Sequence, residues 1–569
     1  MGNMWEEHRF ILGFISILFA GIRVNSLSYD YSASIECLAE PLKPQYGGGI
    51  LRNPEFKHGL KGWTGFGGAL AESNGGNTFM VVRSGNRPTK KLFLFDDKIY
   101  TFSAWVRISD GSARVGAVFK TADGDMHAGA TIAEAGCWSM IKGGLTVTKT
   151  GPAELFFQSK NASVDIWVDS ISLQPFTQEE WRSHQEQSTQ KARKRSIRFH
   201  AVDSHGRSLP GRNLSIVLNR GSFPFGCAIN RNILQNSGYQ QWFTSRRFTV
   251  TVFEDELKWY STERNQGQED YSGSDALFAF ARQHGLAVRG HNVFWDDGRY
   301  QPGWVGNLSP DQLRSATNRR IDSVVSRYAG QVTGWDVVNE NLHFNFFESK
   351  LGGGFSTDAY RKAHSLDGRA TMFLNEYNTL EDSRDGAVTP SEYIRKVNEI
   401  RGQGSTGIGL EGHFSRVNLG YMRSAIDQLA STGLPIWITE LDVDRGIDQA
   451  QALEQILREA YSHPAVQGVV IWAAWKPEGC YKMCLTDNNF RNLATGNVVD
   501  RLINEWGRRK LQGTTDGDGY FEAVLPHGDY QVTIFDSAKN SSFAQATKVE
   551  ADAEGEDSVL HLKVHARED

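Results

Sequence analysis

Cysteine is scarce in this chain: its 569 residues include only Cys37, Cys137, Cys227, Cys480 and Cys484. So sparse a set excludes a fold held by a dense disulfide framework, and the odd number leaves one thiol over. Cys480 and Cys484 stand near enough to close a small loop or to remain as two thiols. No histidines cluster with the cysteines at ligand spacing, which argues against a zinc site. An excess of one charge is missing too. Lys and Arg number 61 against 66 Asp and Glu, a net charge of -5, so there is no field to grasp a polyanion and nucleic acid is not an expected partner. Beyond the N-terminal segment no apolar run reaches the ~18 to 20 residues that a membrane span needs.

What the chain has is length, enough for one large core and at least one accessory module. Its N-terminus reads as a secretory signal: Arg9 precedes the apolar run from Phe10 to Gly21, and Val24 and Ser26 offer a small-residue cleavage pattern. Residues 1–26 are therefore assigned to a signal peptide, leaving a secreted protein with no membrane attachment. A signal anchor is the rival reading, and the shortness of the run speaks against it. Secretion gives meaning to the sequons at Asn161, Asn213, Asn307 and Asn540.

The remaining chain changes pattern several times. Residues 50–176 alternate as strands do, in Thr101-Phe102-Ser103-Ala104-Trp105-Val106 and Val164-Asp165-Ile166-Trp167-Val168, and predict a β-sandwich. Residues 177–194 are polar and free of Gly and Pro, the pattern of a solvated helical linker. From residue 221 to 510 short apolar runs alternate with amphipathic stretches. The runs are 223–229, 248–253, 286–294, 332–338, 370–374, 407–410, 435–439 and 468–472. Eight such repeats predict an α/β fold, a closed (β/α)8 TIM barrel. The pieces on either side, 195–220 and 511–569, have strand-and-turn character and are expected to form one small accessory β unit that the barrel interrupts.

Acids at the C-terminal tip of a barrel strand face the cleft. Trp335-Asp336-Val337-Val338-Asn339-Glu340 closes the fourth run and Trp437-Ile438-Thr439-Glu440-Leu441-Asp442 the seventh, across the barrel mouth. Retaining glycoside cleavage needs a protonated acid at the leaving oxygen and a carboxylate at the anomeric carbon, about 5 to 5.5 Å apart. A lone Glu is better explained by an ion pair with a nearby Arg or Lys. Two at opposite strand tips favour chemistry.

On these motifs the barrel resembles glycoside hydrolase family 10 xylanases, their plant members in particular. The resemblance implies Glu340 as general acid/base, Glu440 as nucleophile and Asn339 as the partner of the sugar 2-hydroxyl. In Phe253-Glu254-Asp255-Glu256-Leu257-Lys258-Trp259 it assigns Glu254 and Lys258 to sugar binding, with Asp255 replacing the usual Asn. In Arg289-Gly290-His291-Asn292-Val293-Phe294-Trp295 it assigns His291 and Trp295, with Asp296 where a His is usual. Gly409-Leu410-Glu411-Gly412-His413 resembles a Gln-x-His element in which His413 orients the nucleophile and Asp442 stands behind it. Glu411 occupies the Gln position, a third carboxylate expected to alter its own ionisation or that of Glu440. Trp472 would be an aromatic floor under the reacting sugar, with Trp475 a weaker candidate. The implied partner is xylan or a related β-1,4-linked polysaccharide of the cell wall, and no metal or organic cofactor is implied.

Residues 50–176 resemble a family 22 carbohydrate-binding module through Asn53-Pro54-Glu55-Phe56, Gly62-Trp63 and Ile166-Trp167-Val168-Asp169, with Gln158 near a usual acidic ligand. Trp63, Trp105, Trp138 and Trp167 are its candidate stacking faces, although alternating aromatics in a sandwich more often build the core. Two other functions stay open at this stage. One is hydrolysis or transglycosylation of another β-glycan; the other is a glycan-binding protein inactivated by the Asp255, Asp296 and Glu411 departures.

Overall fold

The protein is described by a computed structural model covering residues 27–64, 69–74, 76–402, 404–507, 510–536, 541–550 and 559–563. The signal segment and the sequon at Asn540 lie outside the described residues, whereas Asn161, Asn213 and Asn307 are all exposed.

Eight parallel strands form the centre: β1 (Phe225–Cys227), β2 (Val250–Val252), β3 (Ala287–Trp295), β4 (Gly334–Asn339), β5 (Thr371–Glu376), β6 (Thr406–Leu410), β7 (Ile436–Val443) and β8 (Val466–Ile471). Each pairs with its successor, and β8 returns to β1 through Val469 opposite Phe225, so the barrel predicted from the eight apolar runs is closed. Strands buried on both faces need near-continuous apolar sequence, which Val250-Thr251-Val252 and Val469-Val470-Ile471 supply. The interior holds whole indoles because glycine faces them. A Cβ at Gly290 would fall 2.3 Å from the Trp335 ring, and one at Gly468 2.6 Å from that of Trp437.

The N-terminal unit is a sandwich of a five-stranded and a four-stranded sheet. It begins earlier than residue 50: Cys37 is bonded to Cys137, and Leu38 pairs with Trp138. That segment lacks strand periodicity, so only the bridge could have announced it. Trp105 and Trp138 are core residues, and of the four candidate stacking rings only Trp63 and Trp167 are partly exposed. Cys480 is bonded to Cys484, and Cys227 is left as a buried free thiol.

The expected linker is a helix, Gln178–Arg193, opened by a capping box between Thr177 and Glu180. It is not solvated all round. Trp181 and Gln185 both donate to Glu459 of the barrel at 2.8 Å, and the guanidinium of Arg423, itself paired with Glu459, lies over the Trp181 ring. The sandwich is likewise docked: the barrel helix Leu419–Ala430 is buried along nearly its whole length, with Ser424 and Gln428 donating to the carbonyls of Gly143 and Lys142.

Chain on both sides of the barrel meets in two shared sheets. Strand Lys194–Val202 pairs with Tyr520–Pro526, Ile197 opposite Ala523, and strand Asn213–Gly221 pairs with Gly528–Asp536. Phe199, Ile216, Val532 and Ile534 form the core between them. Among the described residues no helix is long and apolar enough to cross a membrane.

Candidate active site

A cleft of about 510 Å³ opens at the C-terminal mouth of the barrel and is lined by Glu254, Lys258, His291, Trp295, Asn339, Glu340, His413, Glu440 and Trp472. All nine side chains singled out as catalytic or sugar-binding therefore meet in one place, with Asp442 directly behind His413.

Glu340 sits where the chain leaves β4, its backbone held left-handed at φ 58°, a conformation that L-residues adopt only under constraint. Its N–H donates to the Asn375 carbonyl at 2.9 Å. The side chain is 9% exposed. Burial pushes its carboxyl up to about 8; the fields of Glu376 and Glu440 add to this, while the Trp295 indole N–H, donating to Oε2 at 2.7 Å, opposes it.

Glu440 lies within β7 and is 6% exposed. Burial acts to raise it as well, but His291, His413 and Lys258 together outweigh burial and hold it at about 2. These partners are themselves braced. Asp336 accepts from Arg289 at 2.6 Å and binds His291 Nδ1 at 2.9 Å, which brings that nitrogen to 3.6 Å from Glu440 Oε1. Asp442 Oδ1 lies 2.8 Å from His413 Nδ1, turning Nε2 toward Glu411 and Glu440. Against the cost of burial, these carboxylates raise the His413 imidazole well above its usual range, Asp442 foremost. Lys258 places its ammonium 4.5 Å from the centre of the Trp295 ring and 5.6 Å from that of Trp472, a cation held between two indole faces.

At the other end of the cleft Glu254 accepts from Asn230 at 2.7 Å and pairs with Lys476 at 2.9 Å. Asp255 also lines the cleft, half exposed, accepting from Tyr260 and facing Lys258. Asp296 is different: it is fully buried, turned away from the cleft, and accepts from Asn341 at 2.6 Å and from the Phe347 N–H at 3.0 Å. Its departure from the family residue is structural. Trp475, the weaker candidate, packs between Tyr239 and Phe490 outside the cleft.

Sequence reasoning missed three cleft features. Asn375 in β5 extends its Nδ2 to Asn339 Oδ1 at 2.9 Å, Glu440 Oε1 at 3.0 Å and Glu411 Oε1 at 3.2 Å. Applying the strand-tip rule to the fifth run would have found it. Tyr300 stacks on Trp295, ring centres 4.0 Å apart. Tyr481, on the loop closed by Cys480 and Cys484, stands exposed beside His413; no sequence pattern marked either tyrosine.

One carboxyl that keeps its proton near neutrality, one that stays ionised, and indole faces beside both are the equipment of a retaining glycoside hydrolase. The family match and the sequence relatives agree. Residues 215–491 match glycosyl hydrolase family 10. Over 90% of its length the chain is 38% identical to endo-1,4-beta-xylanase 5-like of Arabidopsis thaliana, covering 91% of that protein, and it is 37% identical to endo-1,4-beta-xylanase 4 of the same plant over 94% of each. The solved CBM22-1–GH10 modules of Clostridium thermocellum endo-1,4-beta-D-xylanase 10B, complexed with xylohexaose, are 16% identical, covering 82% of this chain and 98% of that one with a TM-score of 0.44. The chain belongs to glycosyl hydrolase family 10.

Proposed function

We propose that the protein hydrolyses internal β-1,4-xylosidic linkages of cell-wall xylan with retention of configuration. Glu340 donates its proton to the glycosidic oxygen while Glu440 attacks the anomeric carbon, giving a covalent glycosyl-enzyme and a shortened chain. Glu340, now a carboxylate, takes a proton from water, whose oxygen displaces Glu440. Asn339 hydrogen-bonds the 2-hydroxyl, Trp295 and Trp472 offer ring faces to the sugars, and Glu254, Lys258 and His291 hold hydroxyls. His413, steadied by Asp442, orients the nucleophile.

The observation that carries this reading is the meeting of Glu340 and Glu440 in one cleft at the barrel mouth, with burial raising the first and His291, His413 and Lys258 lowering the second; the choice of xylan is supported by the names of the Arabidopsis relatives. A secreted, cell-wall location follows from the same reading and from the N-terminal segment. The sandwich is read as a polysaccharide-binding unit, with Trp63 and Trp167 its remaining stacking faces.

Product release from xylohexaose, followed by NMR of the anomeric protons, tests the catalytic part. Short products formed first as β-anomers, and absent with Glu440→Ala, are expected. Intact xylohexaose with the wild type would overturn the xylan assignment.

A further inference from the structure

We propose that Glu411 is a positioning residue that acts as a neutral acid: its carboxyl O–H donates a hydrogen bond to the Glu440 carboxylate and so sets the nucleophile, a role that ends when Glu411 ionises. The proposal rests on the retaining mechanism given above and adds a second proton to the site.

Hydrogen counting leads to it. Glu411 is 2% exposed, so water does not supply its partners. Glu411, His413 and Glu440 each place a polar atom within 4.8 Å of the others. Two donors serve both carboxylates. Asn375 Nδ2 faces Glu411 Oε1, Glu440 Oε1 and Asn339 Oδ1 with two hydrogens for three acceptors. The Asn375 amide is fixed in this sense by the ionised Glu440, which can only accept, and its oxygen then accepts from the Thr439 hydroxyl. His413 Nε2 has one hydrogen and stands 3.3 Å from Glu411 Oε2 and 3.6 Å from Glu440 Oε2, both long for a hydrogen bond, while its other nitrogen is taken by Asp442. Three hydrogens are thus shared by two buried carboxyl groups and an amide oxygen. Two ionised carboxylates at this separation repel, and a proton on one of them supplies the missing donor.

The surroundings decide which of the two holds it. Glu440 faces His291, His413 and Lys258, and these favour its charge. Glu411 faces His413, and the negative charge of Glu440 lies against it, joined by that of Glu340, at the end of β4, only once Glu340 has given up its proton. On the β5 side the Glu411 N–H is bonded to the Glu376 carbonyl, His343 is raised to about 9 but is held between the Glu376 and Asp385 carboxylates, and Glu381 accepts from the Gly412 and His413 N–H groups. Burial and these charges push the Glu411 carboxyl well above the usual carboxylate range. The proton stays on Glu411 throughout turnover, so no atom is transferred. Its hydrogen bond to Glu440 weakens as the nucleophile gives up charge to the sugar and re-forms on release.

The test removes Glu340 from the pH profile. With Glu340→Ala and 2,4-dinitrophenyl β-xylobioside, whose leaving group needs no proton, the pre-steady-state burst reports attack by Glu440 alone. The expected burst rate falls about tenfold per pH unit on an alkaline limb, and the limb is absent from the Glu340→Ala, Glu411→Gln double variant. A flat profile in the single variant, or a limb that persists in the double one, overturns the proposal. Should the double variant not fold, infrared spectra of Glu340→Ala decide: a neutral-carboxyl carbonyl band must vanish over the pH range of the limb, and its persistence across that range overturns the proposal. No release from the xylobioside by the wild-type protein would sink the xylan reading itself, an outcome distinct from turnover with a flat profile.

Discussion

The Trp295 indole donates its N–H to Glu340 Oε2 at 2.7 Å. The same ring stands in the cleft beneath the Lys258 ammonium. The bond favours the carboxylate, so it draws the Glu340 carboxyl below the value that burial alone would give. In Trp295→Phe the alkaline limb of kcat/KM is expected to move up by about one pH unit, the worth of a hydrogen bond to a charged group, while kcat falls. An unmoved limb with lowered kcat would show that the ring acts by stacking alone.

The same carboxyl carries a stability cost with a definite sign. Glu340 titrates near 4.5 in the unfolded chain and at about 8 in the fold. Between those values the folded protein holds a proton that the unfolded chain has released, so stability declines as pH rises through that window. Glu340→Gln removes the linkage. Its urea midpoint is expected to exceed that of the wild type, by little at about pH 5 and by most at about pH 8; an advantage that does not grow with pH would contradict the raised value.

Asn375 tests whether the nucleophile is held or merely present. Its amide is the only side-chain donor described within 3.0 Å of Glu440, and its oxygen accepts from the Thr439 hydroxyl. Asn375→Ala is expected to lower kcat about a hundredfold, the usual consequence of a misplaced reacting group, with little change in thermal midpoint. Single-turnover kinetics with xylohexaose would show the loss in the glycosylation step.

Much of this was legible beforehand because barrel strands obey simple rules. All eight apolar runs became strands, and Glu340 and Glu440, singled out because they follow the fourth and seventh runs, both line the cleft, although β7 continues through Glu440 to Val443. Asn375 escaped because its run was ended at Leu374, one residue short of the cleft. What could not be read are the long-range polar contacts. Trp181 in a helix of polar residues looked solvated, yet its partner Glu459 lies 278 positions away, and no periodicity encodes such a pairing. Asp296 looked like a cleft departure because it follows Trp295; the chain turns there, and its side chain serves Asn341 instead.

Another of these long-range contacts is the ion pair between Lys142 of the sandwich and Asp427 of the barrel, 2.7 Å apart with both side chains buried. Asp427 also accepts from the Tyr29 hydroxyl at 2.7 Å and pairs with His463 at 3.0 Å. Burial alone would raise the Asp427 carboxyl, but Lys142 and His463 hold it below its usual value. A lowered carboxyl contributes stability that is present above the unfolded value and is lost as pH falls through the folded one. Replacing Lys142 by Met leaves the charge of Asp427 without its closest partner, a loss of about 3 to 5 kcal/mol. The double variant Lys142→Met, Asp427→Leu removes both charges and is expected to recover much of that loss, because the pair had to be desolvated to form. Calorimetry should register the single variant as one lowered transition covering sandwich and barrel together, since Ser424 and Gln428 bind the same strand as the ion pair. Two separated transitions in the wild type would mean that the modules unfold independently and that the buried pair does not couple them.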